Sequence, residues 1–400
     1  MQATQVASTN NRVREPSQIE ARGQRRNLTA ACLAHALHDG YTDQLYALLP
    51  VWQAQFGLSY AGLAAVRALY SGTMGGLQLP GNRLTRQLNA RTALVLSTVV
   101  AASGFMIMAL PLGLAGLCIG LMLAGTGSSL QHPRASLLVT DTFGKMSRGP
   151  LGVYNFTGDL GKATLPAIVA LLLPVLAWRP IVGLMALLGL AVAYGLFRLI
   201  PNSLAGNANA AEPPVQGKGH GGFALLVAIG VFDTAARMGY LLFLPFSIET
   251  LGGRSATVGL GLALLFLGGA LGKATCNWLS QHLGIVGSVI ATETATALLI
   301  VATLFVPLVP MLAILPILGI VLNGTSSVLY GTVPELAPKG DAGRAFAFFY
   351  TGVSGAGGLA PIVYGAIADH SSRSVGIASA ACTAALVVPL VMALRPALSD

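Results

Sequence analysis

Hydrophobic residues fall into twelve blocks along the 400-residue chain, near 28–52, 61–81, 92–111, 113–140, 150–173, 180–200, 222–248, 256–280, 285–308, 310–333, 344–367 and 374–394. Each block holds about 20 residues or more, the length at which a helix crosses a hydrocarbon layer about 30 Å thick. Most connections between blocks are short. The exception runs from Pro201 to Gly222, is rich in Gly, Pro, Asn and Ala, and predicts a flexible linker at 201–221 between halves at 28–200 and 222–400. Residues 1–27 are polar and have no apolar run ahead of a cleavage site, so they read as a disordered tail and not as a signal peptide. The pattern predicts an all-α membrane protein: twelve transmembrane helices in two six-helix bundles.

Composition supports this class. The chain is 54% hydrophobic and 9% charged, with a mean hydropathy of +0.71, where a soluble domain carries roughly 25% charged residues. Topology accounts for the net charge of +9 without a nucleic-acid partner. With the N-terminus inside, 15 of the 23 Lys and Arg fall in cytoplasmic segments and only Arg179, Arg254 and Arg373 fall outside. The other five, Arg67, Arg134, Lys162, Arg237 and Lys273, lie within helices. Such a positive-inside excess places both termini in the cytoplasm. Cys32, Cys118, Cys276 and Cys382 have neither metal nor disulfide spacing and read as small apolar residues.

The first block carries its own chemistry. In His35-Ala36-Leu37-His38-Asp39-Gly40-Tyr41-Thr42-Asp43, helical periodicity puts His35, Asp39 and Asp43 on one face. A carboxylate at a bilayer centre costs roughly 2.5–3.5 kcal/mol on insertion scales, so these groups should face a wet or protein-lined interior. Two acids on one face without a base on the same helix suit proton exchange; a structural ion pair is the other reading.

The halves repeat. Residues 57–88 align without a gap on 252–283 at an offset of 195, and at 194 Asp39 meets Asp233 and Asp43 meets Arg237. Gly127-Ser128-Ser129 resembles Thr325-Ser326-Ser327, and Pro166 resembles Pro361. Six helices, a cytoplasmic linker and six related helices resemble the layout of the major facilitator superfamily, whose pseudo-symmetric halves rock about a midplane site.

Within that superfamily, two stretches resemble the fosmidomycin-resistance group of efflux transporters. Ala34-His35-Ala36-Leu37-His38-Asp39 keeps the His and final Asp of that group's first-helix pattern. Gly125-Thr126-Gly127-Ser128-Ser129-Leu130-Gln131-His132-Pro133-Arg134 matches its fourth-helix pattern except at the last position, where the group has Glu. Gly158-Asp159-Leu160-Gly161-Lys162-Ala163-Thr164-Leu165-Pro166 resembles a fifth-helix pattern, with Asp159 and Lys162 in place of Asn and Ser. In the loop after helix 2, Thr85 of Gly81-Asn82-Arg83-Leu84-Thr85-Arg86 stands where the superfamily usually has Asp. The resemblance implies a divergent exporter whose substrate need not be fosmidomycin.

Intramembrane charges balance, with Arg67, Arg134, Lys162, Arg237 and Lys273 against Asp39, Asp43, Asp159, Asp233 and Glu293. Asp159 with Lys162, and Asp233 with Arg237, are spaced for local pairs and could equally serve a substrate. Arg67, Arg134 and Lys273 have no acid nearby on their own helices and suit an anionic substrate group. Glu293 is assigned as the partner of Lys273. His132, before Pro133, either hydrogen-bonds at a kink or titrates with Asp39. His38, Tyr154 and Asn155 complete the candidate substrate site. The expectation is a monomeric, proton-coupled exporter (antiporter) of a small anionic or zwitterionic compound in a bacterial inner membrane, with no cofactor or metal. The other transport reading is proton symport into the cell. A membrane enzyme would need a nucleophile, metal-ligand or phosphate motif, and a receptor would need a sensor domain; the sequence offers neither.

Overall fold

The computed structural model describes residues 18–78, 80–81, 87–202, 222–337 and 342–398. The tail up to residue 17, residues 203–221 of the linker and residues 82–86 of the loop after helix 2 lie outside the described residues. What is described is helix and short connections, with no strand.

Span 1 is α1a (Gln18–Asp43) and α1b (Leu45–Phe56), parted at Gln44. It starts at Gln18 and not near 28, because the polar residues ahead of the apolar block are mostly good helix formers and nothing among them stops a helix. Then follow α2 (Tyr60–Gly76), α3 (Ala90–Ala109), α4 (Gly113–Phe143), α5 (Arg148–Leu172), α6 (Trp178–Leu199) and α7 (Phe223–Thr250). The helical run Ser255–Ala302 turns at Gly284, whose φ of 70° suits glycine, and so forms α8 (255–283) and α9 (285–302). The last spans are α10 (Leu308–Leu336), α11 (Ala342–His370) and α12 (Arg373–Leu398). Among the described residues, nine of the twelve are long and apolar enough to cross a membrane on length and composition alone. The others are α1, α2 and α5: α1 and α5 carry ionisable groups at midspan, and the described part of α2 has 17 residues.

The packing has a two-fold character. In the first half α1 packs on α5, α4 and α6, α3 on α4 and α6, and α2 on α4. Adding six to each number gives the second half: α7 packs on α11, α10 and α12, and the α8–α9 run packs on α10 and α12. The seams between halves obey the same rule, α2 against α11 and α8 against α5. This is the arrangement of parallel repeats related by an axis along the membrane normal.

The apolar cores of the two halves merge at one end only. Twelve spans leave Gln18 and Leu398 at the same end. At the opposite end a single apolar core joins both halves, with Leu45, Leu49 and Trp52 of α1b in one cluster with Leu241, Phe243 and Leu244 of α7. There Asp369 of α11 accepts from the backbone N–H of Tyr60 (2.8 Å) and Ala61 (2.9 Å), the start of α2. A carboxylate is favoured at that helix N-terminus. Near the chain ends the cores are separate: Ala30, Leu94, Leu138 and Leu196 in one half, and Ile229, Val289, Val333 and Leu394 in the other. A cavity therefore opens between the halves toward the end that holds Gln18 and Leu398. Outward-facing Leu171, Leu271, Leu298 and Phe305 are exposed, as lipid-facing residues would be.

Candidate functional site

The cavity has a volume of about 580 Å³. His35, Asp39, Thr42 and Asp43 of α1a line it, one stripe of that helix. Arg67 comes from α2, His132 and Ser136 from α4, Tyr154, Asn155 and Lys162 from α5, and Met238, Lys273, Tyr330 and Tyr350 from the second half.

Asp39 is the hub, 7% exposed. Its Oδ2 lies 3.3 Å from His35 Nε2 and 3.3 Å from Lys162 Nζ, and its Oδ1 lies 3.7 Å from His132 Nε2. Lys162 Nζ is also 3.6 Å from Asp159 Oδ1, and Lys273 Nζ donates to Asp159 Oδ2 at 2.6 Å. A chain of alternating charge thus runs from Asp39, flanked by the two histidines, through Lys162 and Asp159 to Lys273 in the other half.

The sequence lets these groups meet because α5 is thin where it crosses α1a. A Cβ on Gly158 would lie 2.6 Å from His35 Cε1 and 2.7 Å from Asp39 Oδ2, and one on Gly161 would run into the backbone of Ala36. His35 is fixed further by stacking on Tyr154, with centroids 4.0 Å apart and planes 10° apart. Its Nδ1 is 2.9 Å from the Tyr154 carbonyl oxygen. A carbonyl only accepts, so Nδ1 carries a hydrogen. The Nε2 of a neutral ring would then present a lone pair to the Asp39 carboxylate, which also only accepts. A hydrogen bond between Nε2 and that carboxylate would need a proton on one of them. His35, Asp39 and His132 offer three ligand atoms within 4.8 Å of one another, the spread a metal ion could use. The Lys162 ammonium on the same carboxylate opposes a second cation there.

Arg67 is 5% exposed, and its guanidinium lies over the Tyr46 ring, 4.1 Å from the centroid. It belongs to none of the ion pairs among the described residues.

Several expected site residues lie elsewhere. Arg134 does not reach the cavity; it donates to the Leu88 carbonyl oxygen at 2.5 Å. Two residues past His132, it is turned about 200° around α4, toward the connection before α3. His38 is fully buried behind the cavity, bonded to Ser128 Oγ (2.8 Å) and Thr98 Oγ1 (3.2 Å). Asp233 and Arg237 do not pair directly. Ser326 Oγ donates to Asp233 Oδ2 (3.2 Å), and Arg237 Nη1 donates to Ser326 Oγ (3.2 Å) and Asn323 Oδ1 (3.4 Å), inside the second half. Lys273 lines the cavity but is held by Asp159, not by Glu293; the Glu293 carboxyl meets that of Asp233 instead. Sequence reasoning passed over Thr42, Gln78, Ser136 and Met238. Thr42 and Ser136 lay within reach of periodicity, three residues from Asp39 and four from His132.

Fold and site define a polytopic helical membrane transporter whose two halves enclose a polar midspan cavity. The sequence model of the Major Facilitator Superfamily matches residues 31–232, and the chain belongs to that family. It is therefore a transporter of small molecules and not an enzyme. It is 24% identical over 358 residues, 86% of this chain and 87% of the other, to the Fosmidomycin resistance protein of Escherichia coli (strain K12). Among solved structures it resembles a bacterial homologue of the human lysosomal transporter Spinster in an inward-facing and unoccupied conformation, with a TM-score of 0.75 at 14% identity, covering 96% of this chain and 99% of that one.

Proposed function

We propose that this transporter exports a small anionic or zwitterionic compound in exchange for protons, by alternating access, as a monomer in the bacterial inner membrane. Both termini, the tail at 1–27 and the linker at 201–221 are then cytoplasmic, and the cavity described above faces inward. The likeness to the fosmidomycin resistance protein supports export. The observation that carries proton coupling is the Asp39 cluster, a buried carboxylate set between two histidines at the wall of the cavity.

The charge chain suggests how a proton could move the halves. A proton on Asp39 removes the anion that holds Lys162. Lys162, already 3.6 Å from Asp159, then competes there with Lys273. The Lys273–Asp159 pair joins the halves at midspan, so the tie loosens when Asp39 is protonated. Antiport requires substrate and proton to exclude each other. A zwitterion does this with its cationic group on Asp39 and its anionic group on Arg67. An anion seated on Lys162 would instead draw a proton onto Asp39, which is the symport reading.

Inverted vesicles loaded by a pH gradient, with fosmidomycin as the first probe, separate these readings by the direction of coupled flux. Asp39→Asn should abolish gradient-driven accumulation and leave energy-independent exchange largely intact. Accumulation that persists in Asp39→Asn would put the proton site elsewhere.

A further inference from the structure

Beside the polar cavity lies a second chamber of about 550 Å³ between α2 and α11. Gln78, Pro133, Tyr330 and Tyr350 line both, so the two are continuous. No charged residue is among the described residues of the chamber wall. Four of its wall positions are glycines. A Cβ on Gly75 would lie 3.4 Å from Ser354 Cβ, but one on Gly72 or Gly76 of α2 or on Gly355 of α11 would meet nothing within 4 Å. Gly72, Gly76 and Gly355 are not there for close helix contact, as Gly158 is; they leave room. Phe346 and the rings of Tyr330 and Tyr350 supply apolar surface around that room.

We infer that the transported compound is an amphiphile, with its charged head in the Asp39–Arg67 cavity and an alkyl or aryl body in the glycine-walled chamber. The inference rests on the anionic or zwitterionic reading above and adds the second half of the molecule. Arg67, held on Tyr46 and in no ion pair among the described residues, faces the polar cavity, so a negative head bound there leaves the rest of the ligand room to extend past Tyr330 and Tyr350. The chamber alone falls within the roughly 300–1,000 Å³ usual for small-molecule sites.

The test is equilibrium binding of a phosphonate series, methyl to hexyl, to the full-length chain in lipid nanodiscs, with protein-free discs subtracted and 1-hexanol as the uncharged control. Burial of a methylene contributes roughly 0.8 kcal/mol. Affinity should therefore rise by up to about fourfold per added methylene. Gly72→Leu and Gly355→Leu fill the chamber from opposite walls, and each should flatten the series. The readout is the ratio of hexyl to methyl dissociation constants within one protein, which a general loss of folded material does not change. A flat series in the unmodified chain, or a slope that both variants retain, overturns the amphiphile. Binding of 1-hexanol as tight as hexylphosphonate would keep the chamber and overturn the anionic head. If no probe binds, both readings fall.

Discussion

Gly158→Ala adds one methyl group at the place where α5 touches the Asp39 cluster. That carbon would lie 2.6 Å from His35 Cε1, 2.7 Å from Asp39 Oδ2 and 2.8 Å from His35 Nδ1. Non-bonded carbon atoms rest at about 3.5–4.0 Å, so something must move by about 1 Å. The ring of His35 cannot swing away freely, because it stacks on Tyr154 and bonds to that residue's carbonyl. Asp39 cannot shift without lengthening its 3.3 Å contacts to His35 and Lys162 beyond hydrogen-bond range. Overpacking of this kind costs roughly 1–3 kcal/mol. Taken from the coupled step, that is about 5- to 150-fold in proton-driven rate. The assay is pH-gradient-driven flux of the fosmidomycin probe in proteoliposomes, beside energy-independent counterflow and a melting curve of the purified protein. Gly152→Ala is the control, since it makes the same chemical change on the same helix where a Cβ meets nothing within 4 Å. That control should be neutral or stabilising by up to about 1 kcal/mol. Wild-type coupled flux in Gly158→Ala would refute the idea that α5 holds His35 and Asp39 in their working positions.

At the closed end, Asp369→Ala removes the carboxylate that caps α2 across the seam and should favour separation there by about 1 kcal/mol, roughly fivefold in population. Spin labels on exposed Val175 and Val309 would show this as growth of the longer-distance component, and an unchanged distribution would mean that the apolar core alone keeps that end shut. For topology, in a background lacking the four native cysteines, a cysteine in the tail should label from the cytoplasm and one at Ser371 from the opposite side. Labelling of both from one side would overturn the assigned orientation.

The helices and their number were legible because membrane insertion is a one-dimensional constraint. About 20 apolar residues in a row cross a bilayer whatever surrounds them, and the break between spans 8 and 9 at Gly284 shows as a gap between apolar blocks. The stripe of His35, Asp39 and Asp43 was legible for a related reason: a helix fixes relative angles along itself. Its start at Gln18 was not, because polar residues beyond an apolar block can continue a helix without any hydrophobic signal.

Partner choice among the charges was a matter of tertiary structure. Local spacing offered Lys162 to Asp159, which it does contact, but also Arg237 to Asp233, which the fold joins only through Ser326. Nothing in either helix alone brings Lys273 to Asp159 or His132 to Asp39, since those contacts depend on how neighbouring helices are rotated and how closely they pack. The same rotation turned Arg134 away from the cavity while its neighbour Pro133 lines it. Glycines make the point most directly. Gly158 and Gly72 are alike in sequence, yet one sits where a methyl group would strike His35 and Asp39 and the other faces open space. Sequence determines that each lacks a side chain; only the packing of α5 on α1a and of α2 near α11 decides whether that absence brings helices together or leaves room for a ligand.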